Sequence, residues 1–412
     1  MYKINPYRPG AGLMPLYLAG RESDIEYAGQ MFLAAKLNIP VQSVIFSGLR
    51  GVGKTVLVNQ IQKNAEDMGI FCKYIEVETQ NDFVSQIAAC AHTYLREFSG
   101  KEKFKGLVKK AIDAVKSLVV SFDPNGNTFS LSVQERELYQ SNNLTQSLTD
   151  VFTTIGETAY AAGIPICFFI DEMQYMRRAE LSALIAALHR TNQLGYPVLV
   201  VGAGLPRIYK MLSDEKTYAE RLFQYREIGF LPSAQAEKAV TEPARTLGVT
   251  YSGDAIQKII SVTRGYPFFL QQMCQIVYDN ACGRQITKAD VEQSVEDFFT
   301  TLDNGFFKVR YERCSESDKR FVFAMAACGT LPCTIANVAR HLGKKVSAVS
   351  TIRAQLISKG LVYPVRYKEL DFTVPEFDSF LRRIPEYQAW YEMEREGAET
   401  DMISEEDVPE LE

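Results

Sequence analysis

Gly48-Leu-Arg-Gly-Val-Gly-Lys54-Thr55 is a complete G-x-x-x-x-G-K-[ST] run. Polyphosphate chemistry needs this order of residues. Glycines let consecutive backbone N–H groups curl around anionic oxygens, Lys54 can bridge the β and γ phosphates, and the Thr55 hydroxyl can ligate Mg²⁺. The second chemical signal is Ile166-Cys-Phe-Phe-Ile-Asp171-Glu172, an apolar run ending in two carboxylates. Asp171 at the end of such a strand can hold Mg²⁺ through water, and Glu172 can polarise the water that attacks a γ-phosphate. The second acid favours ATP hydrolysis tied to mechanical or switching work, because small GTPases and nucleotide kinases generally do without it.

These groups need elements to hold them. Val44-Ile-Phe-Ser47 is a short buried-strand pattern, and from Thr55 to Asp67 apolar residues recur at helical spacing until Gly69. Phe71 to Val77, Gly163 to Ile170 and Pro197 to Val201 read as three further strands, with helical stretches between them. Alternating strands and helices imply a parallel sheet covered on both faces. Leu118 to Val133 reads differently, as an inserted β-hairpin about Asp123-Pro-Asn-Gly126. From about 232 to 300 the pattern is helical, with Ser252-Gly-Asp and Thr287-Lys-Ala-Asp as N-cap entries. Residues 316–386 then predict helices near 317–328, 334–342 and 347–359 and a strand pair near 361–374, the order of a winged helix-turn-helix.

Composition limits the alternatives. The chain has 412 residues, 46% hydrophobic and 23% charged, enough for two or three domains with real cores. No apolar run approaches the roughly 18 to 20 residues of a membrane span, and no apolar segment follows the first charges. The expected location is therefore the cytoplasm, with no membrane partner. Eight cysteines never form a C-x-x-C pair, so neither a disulfide framework nor a metal site is expected. The net charge of −5 hides an asymmetry: residues 391–412 carry ten Asp/Glu and one Arg, which leaves the rest of the chain at +4. That acidic tail is expected to be disordered. His92, His189 and His341 are scattered, and no Ser/His/Asp or Cys/His arrangement has catalytic spacing.

With these motifs in view, the sequence resembles the AAA+ ATPases of the Orc/Cdc6-like and archaeal-ATPase branch, close to the signal-transducing STAND ATPases. The resemblance spans about residues 5 to 385. It rests on Leu18-Ala-Gly-Arg21-Glu22, the Gly48 to Thr55 run, Phe169-Ile-Asp-Glu-Met-Gln174, Val201-Gly-Ala-Gly-Leu-Pro206, Tyr218-Ala-Glu-Arg221-Leu-Phe223 and Thr263-Arg-Gly-Tyr-Pro267. It implies an α/β fold: a P-loop NTPase parallel sheet of AAA+ (ASCE) type over 1–231, a helical lid over 232–305 and a winged helix over 316–386. ATP and Mg²⁺ are the implied cofactors. Gly20 and Arg21 would line the base, Gly48, Leu49, Arg50, Gly51, Val52, Gly53, Lys54, Thr55 and Val56 would surround the phosphates, and Pro267 would pack close to the nucleotide. Thr55 and Asp171 would hold the metal. Glu172 would act on water, and Arg221 would reach the γ-phosphate of a neighbouring subunit in a homo-oligomer, with Arg226 as its rival.

One departure matters. AAA+ proteins generally end the fourth strand with a polar sensor, and this chain reads Val200-Val-Gly-Ala-Gly-Leu-Pro206 there. Gln174 is the candidate for orienting a water instead. The gap leaves open a STAND-like switch with slow or no hydrolysis. The winged-helix segment carries eleven Lys/Arg against seven Asp/Glu, a modest basic bias. Ser347 and Arg353 lie on the candidate recognition helix, and Lys344, Lys345, Arg366 and Lys368 could meet the phosphates of double-stranded DNA. A protein partner is the alternative occupant of that domain.

Overall fold

The computed structural model describes residues 4–78, 83–122 and 144–393, with the side chains of 120–122 left out. Among these, Ile4–Thr250 and Ile260–Gln271 form one compact unit. Tyr251–Ile259 and the chain from Gln272 onward form another. The helical stretch expected as a lid at 232–305 is divided between the two.

The first unit is built on a parallel sheet of five strands: β1 Ser43–Ser47, β2 Phe71–Glu76, β3 Ile166–Asp171, β4 Val198–Gly204 and β5 Phe223–Glu227, in the order β2-β3-β4-β1-β5. Every residue of β1, β3 and β4 is buried, as befits strands covered on both faces. Adjacent residues of β3 show why the run is continuously apolar, since a strand's side chains alternate between faces. Phe168 stacks on Phe152 of helix Leu144–Ala162, with centroids 5.2 Å apart, while Phe169 meets Phe32 of helix α1, Glu22–Lys36. Helix α2, Lys54–Asp67, leaves the loop that follows β1. Strand β4 lies between β1 and β3, paired in parallel with both.

Two expectations need correction. The sequence pattern gives four strands, but Phe223-Gln-Tyr-Arg-Glu227 forms a fifth at the sheet edge, half-buried and partly charged, so it lacks the apolar run that marks the others. Leu118 to Phe122, read as the start of a hairpin, form the last turn of helix Lys105–Phe122, whose buried Ala111, Val115 and Leu118 follow helical spacing. Residues 123–133 lie outside the described residues, as do 394–412 of the acidic tail.

In the second unit, helix Lys288–Thr301 opens on a capping box in which Thr287 and Asp290 satisfy each other's backbone N–H. It runs into a π-helical turn over Leu302–Phe307. Helix Glu316–Ala327 has the same cap, from Ser315 and Asp318. Then come strand Cys333–Thr334, helices Ile335–His341 and Val346–Ser358, and strands Val362–Pro364 and Glu369–Phe372. The last strand is the middle of a three-stranded antiparallel sheet. Phe307, Phe372, Phe377 and Phe380 form an aromatic cluster beneath it. Trp390 and Tyr387 pack on Phe323 and so fasten the final described helical turns.

Candidate nucleotide site

Loops at the carboxyl ends of parallel strands are where α/β sheets bind ligands, and the chemical motifs gather at that end. The Gly48–Gly53 loop joins β1 to α2. Gly53, the residue before the helix, has φ 92°, a conformation that a side chain would strain. Lys54 is 8% exposed, and its ammonium donates to the carbonyls of Gly48 at 3.0 Å and Leu49 at 2.8 Å. Burial lowers its pKa from the ordinary value, Glu172 and Asp171 oppose the shift, and Arg50 adds to it. The cation is thus held by the loop that would receive a phosphate.

The two strand-end motifs meet. Thr55 Oγ1 donates to Asp171 Oδ2 at 2.6 Å across 116 residues of sequence. Tyr74 of β2 donates to the same oxygen at 3.0 Å, and burial followed by the Asp171 charge raises its phenol so that it stays protonated. Asp171 Oδ1 accepts from the Glu172 backbone N–H at 2.8 Å. Glu172 itself sits at φ 54°, an uncommon conformation for a residue with a side chain, and leads into the 3-10 turn Met173–Tyr175. Its carboxylate accepts from Gln174 Nε2. The fold class implies Mg²⁺ with the nucleotide, and the donor set fits. Thr55 and Asp171 offer hard oxygens, and no cluster of three His, Cys, Asp or Glu exists among the described residues to suggest another metal. Mg²⁺ takes most of its ligands from water and phosphate and needs few from protein.

The remaining candidates divide. Arg21 is 6% exposed, and its guanidinium donates to the carbonyls of Gly20, Val52 and Gly229 at 3.1, 3.0 and 2.8 Å. It ties its own segment to the phosphate loop. Arg50 donates to Tyr175 Oη at 2.6 Å. Leu49, Val52 and Val56 lie on the loop and the first turn of α2. The Gly265-Tyr-Pro267 segment reaches the loop through Tyr266, whose hydroxyl donates to the Arg50 carbonyl. A Cβ at Gly51 would overlap that hydroxyl. Arg221 is exposed on the short helix Ala219–Leu222, whereas Arg226 on β5 pairs with Asp24 at 2.5 Å and lies over the Tyr27 ring. In the second unit Lys344, Lys345, Ser347, Arg366 and Lys368 are exposed and Arg353 is half-buried.

Sequence reasoning missed Tyr74, Tyr175 and Arg207, and it gave Tyr266 no role although the Thr263-Arg-Gly-Tyr-Pro267 motif contains it. The first three belong to no chemical motif. Only Arg207 carries a signal, its place just after the end of β4.

Residues 17–201 match a protein-family model described as AAA ATPase domain, and residues 304–381 match one described as a domain of unknown function. No curated protein matches the sequence. Among solved structures, the Walker-type ATPase of Pyrococcus abyssi is 13% identical, with 89% of this chain and 99% of that chain covered and a TM-score of 0.52. The RuvB Holliday junction branch migration motor of Thermotoga maritima is 16% identical over 91% of this chain and all of its own, at a TM-score of 0.45. Cdc6p of Pyrobaculum aerophilum is 14% identical over 94% and 97%, also at 0.45. At 13% identity the likeness to the Walker-type ATPase concerns the fold alone. The strand order, the phosphate loop leaving β1 and the acid pair ending β3 agree with the AAA ATPase domain match, and the fold of the first unit is a P-loop parallel sheet of AAA+ type.

Proposed function

We propose that this chain binds Mg²⁺·ATP at the phosphate loop, hydrolyses it to ADP and phosphate, and couples nucleotide state to DNA through residues 316–386. The observation that carries the reading is the 2.6 Å contact between Thr55 and Asp171, with Glu172 beside them. It joins a metal-ligand pair, a general base and a phosphate-binding lysine in one place.

In this reading Lys54 exchanges loop carbonyls for β- and γ-phosphate oxygens, a better partner for a desolvated ammonium. Backbone N–H groups of Gly48 to Thr55 hold the remaining phosphate charge, and Thr55 and Asp171 hold Mg²⁺, which when bound neutralises charge on the phosphates. Glu172 accepts a proton from the attacking water. Gly20 and Arg21 border the base, and Pro267 borders the nucleotide from the helical side. The exposed Arg221 reaches the γ-phosphate of a neighbouring subunit, so the active form is a homo-oligomer.

The elements between Glu316 and Arg383 support a winged helix-turn-helix: three helices, with a hairpin of strands Val362–Pro364 and Glu369–Phe372 after the third. Helix Val346–Ser358 would present Ser347 and Arg353 to bases, while Lys344, Lys345, Arg366 and Lys368 would contact phosphates. The alternative, a nucleotide-locked switch whose winged helix binds a protein, is favoured by one feature. Gly202-Ala-Gly204 puts no polar side chain at the end of β4.

Steady-state ATP hydrolysis by the wild type and by Glu172→Gln, with and without double-stranded DNA and over a range of protein concentrations, tests the proposal. Turnover that needs Glu172, rises with concentration and responds to DNA is expected. Tight ATP binding through Lys54 without turnover would replace this reading with the switch.

A further inference from the structure

Strand β4 ends on Gly202-Ala-Gly204, and the space beside Gly204 is filled from another element. Gln174, on the turn after β3, is 2% exposed, and its Oε1 accepts from the Leu205 backbone N–H at 2.9 Å. A Cβ at Gly204 would stand 2.9 Å from that same oxygen. The glycine at the position where a polar side chain was expected therefore makes room for the Gln174 amide.

The direction of the amide follows from its partners. A carboxamide has one acceptor end and one donor end, and the Leu205 N–H can be met only by the acceptor. Nε2 must then face the Glu172 carboxylate, whose Oε2 accepts from it. The Gln174 main-chain carbonyl accepts from Arg207 at 2.6 Å, which fastens the turn to the residues following β4 a second time. One Glu172 oxygen is thus fixed from the end of β4, and the other is left to accept a proton.

We infer that Gln174 is a positioning residue for hydrolysis, acting on the attacking water through Glu172 rather than by touching the water itself. It replaces, from the turn after β3, the side chain that β4 lacks. The inference rests on the reading of Glu172 as the general base.

The experiment uses the full chain and measures kcat, KM and ATP affinity for the wild type, Glu172→Gln, Gln174→Ala, Gln174→Glu, Gly204→Ala and the Gln174→Ala/Gly204→Ala pair. Hydrogen exchange at the Leu205 amide is followed without nucleotide. Gln174→Ala is expected to lower kcat about tenfold or more with KM and affinity within about twofold, the signature of an interaction used in the transition state. Gln174→Glu keeps the acceptor for Leu205 and loses the donor to Glu172. The Leu205 amide should stay protected while kcat falls at least as far as in Gln174→Ala, because a carboxylate there repels Glu172 instead of donating to it. Gly204→Ala should lower kcat by displacing the amide and add nothing in the Gln174→Ala background. Wild-type kcat in Gln174→Ala or Gln174→Glu, with turnover still abolished by Glu172→Gln, would overturn the inference alone. Additive losses, or a kcat loss matched by lost ATP affinity, would also overturn it. Absence of turnover in the wild type would remove the general-base reading and this inference with it.

Discussion

The Tyr266 hydroxyl donates to the Arg50 carbonyl at the point where a Cβ on Gly51 would stand. Its ring is fully buried, with the rings of Phe230 and Phe269 against it at 5.3 and 4.6 Å. Tyr266→Phe removes one hydrogen bond and is expected to cost about 1 kcal/mol of stability. Gly51→Ala introduces both the overlap and a side chain at φ 73°, and should cost about 1 to 3 kcal/mol. Combining the two removes the overlap with the hydroxyl but leaves the ring carbon Cζ at 2.8 Å and the backbone strain. The double variant should then be more stable than the sum of the singles implies, as thermal melts will show.

The Thr55–Asp171 contact gives a metal-specific expectation. Thr55→Ala removes a hydroxyl that serves Asp171 and, in the proposed reading, would serve Mg²⁺ when nucleotide is bound. It should weaken ATP binding about tenfold or more with Mg²⁺ present and about twofold or less in EDTA. Asp171→Asn should behave alike. Titration of a fluorescent ATP analogue under both conditions measures the difference, and equal losses in the two would deny these residues a metal role.

Arg221 and Arg226 separate by their surroundings. Arg226 is engaged by Asp24 and Tyr27, so Arg226→Ala should lower stability by about 1 to 2 kcal/mol. Arg221 is exposed, and Arg221→Ala should leave the melting temperature within about 1 °C while reducing turnover most at high protein concentration. A loss of turnover independent of concentration would argue against an arginine acting between subunits.

Strands β1, β3 and β4 were legible because they are buried on both faces and so are written as apolar runs. The phosphate loop and the acid pair were legible because their chemistry fixes residue types at fixed spacing. What the sequence hides is set by contacts between distant residues. Strand β5 is an edge with the mixed composition of Phe223-Gln-Tyr-Arg-Glu227, which resembles the charged helices around it. Val120-Ser-Phe122 shows strand alternation over three residues, and only the longer helical spacing of Lys105–Phe122 decides against it. Tyr74 reaches the site through sheet register, which no local pattern encodes.

Helix Glu316–Ala327 carries a pH-dependent lock. Asp318 is fully buried and accepts from Ser315 and from Lys359. Burial alone would raise its carboxyl, but the Lys359 and Ser315 hydrogen bonds outweigh it, and its pKa lies below the ordinary value. A carboxyl with a depressed folded-state pKa adds stability above its ordinary value of about 3.9, and loses it as pH falls through the folded value. Asp318→Asn should therefore cost about 1 to 3 kcal/mol at pH 7. The gap from wild type should narrow as pH drops from about 5 to about 3. Denaturant midpoints across that range test it, and a constant gap would show that the charge contributes nothing.

The proposed DNA face makes a prediction in salt. Lys344 and Lys345 are exposed just ahead of helix Val346–Ser358, and Lys368 is exposed on the turn between strands Val362–Pro364 and Glu369–Phe372. Each phosphate neutralised by a protein cation releases condensed counterions and contributes about 0.9 to the slope of log affinity against log salt. Lys344→Ala/Lys345→Ala should lower that slope by about 2 and weaken binding to all duplexes alike, because phosphate contacts carry no sequence information. Arg353→Ala should instead change preference among sequences, if its helix enters the major groove. Anisotropy titrations of labelled duplexes at several salt concentrations separate the two effects. Binding that is absent, or indifferent to salt and to both lysines, would assign this face to a protein partner and move the coupling of nucleotide state from DNA to that partner.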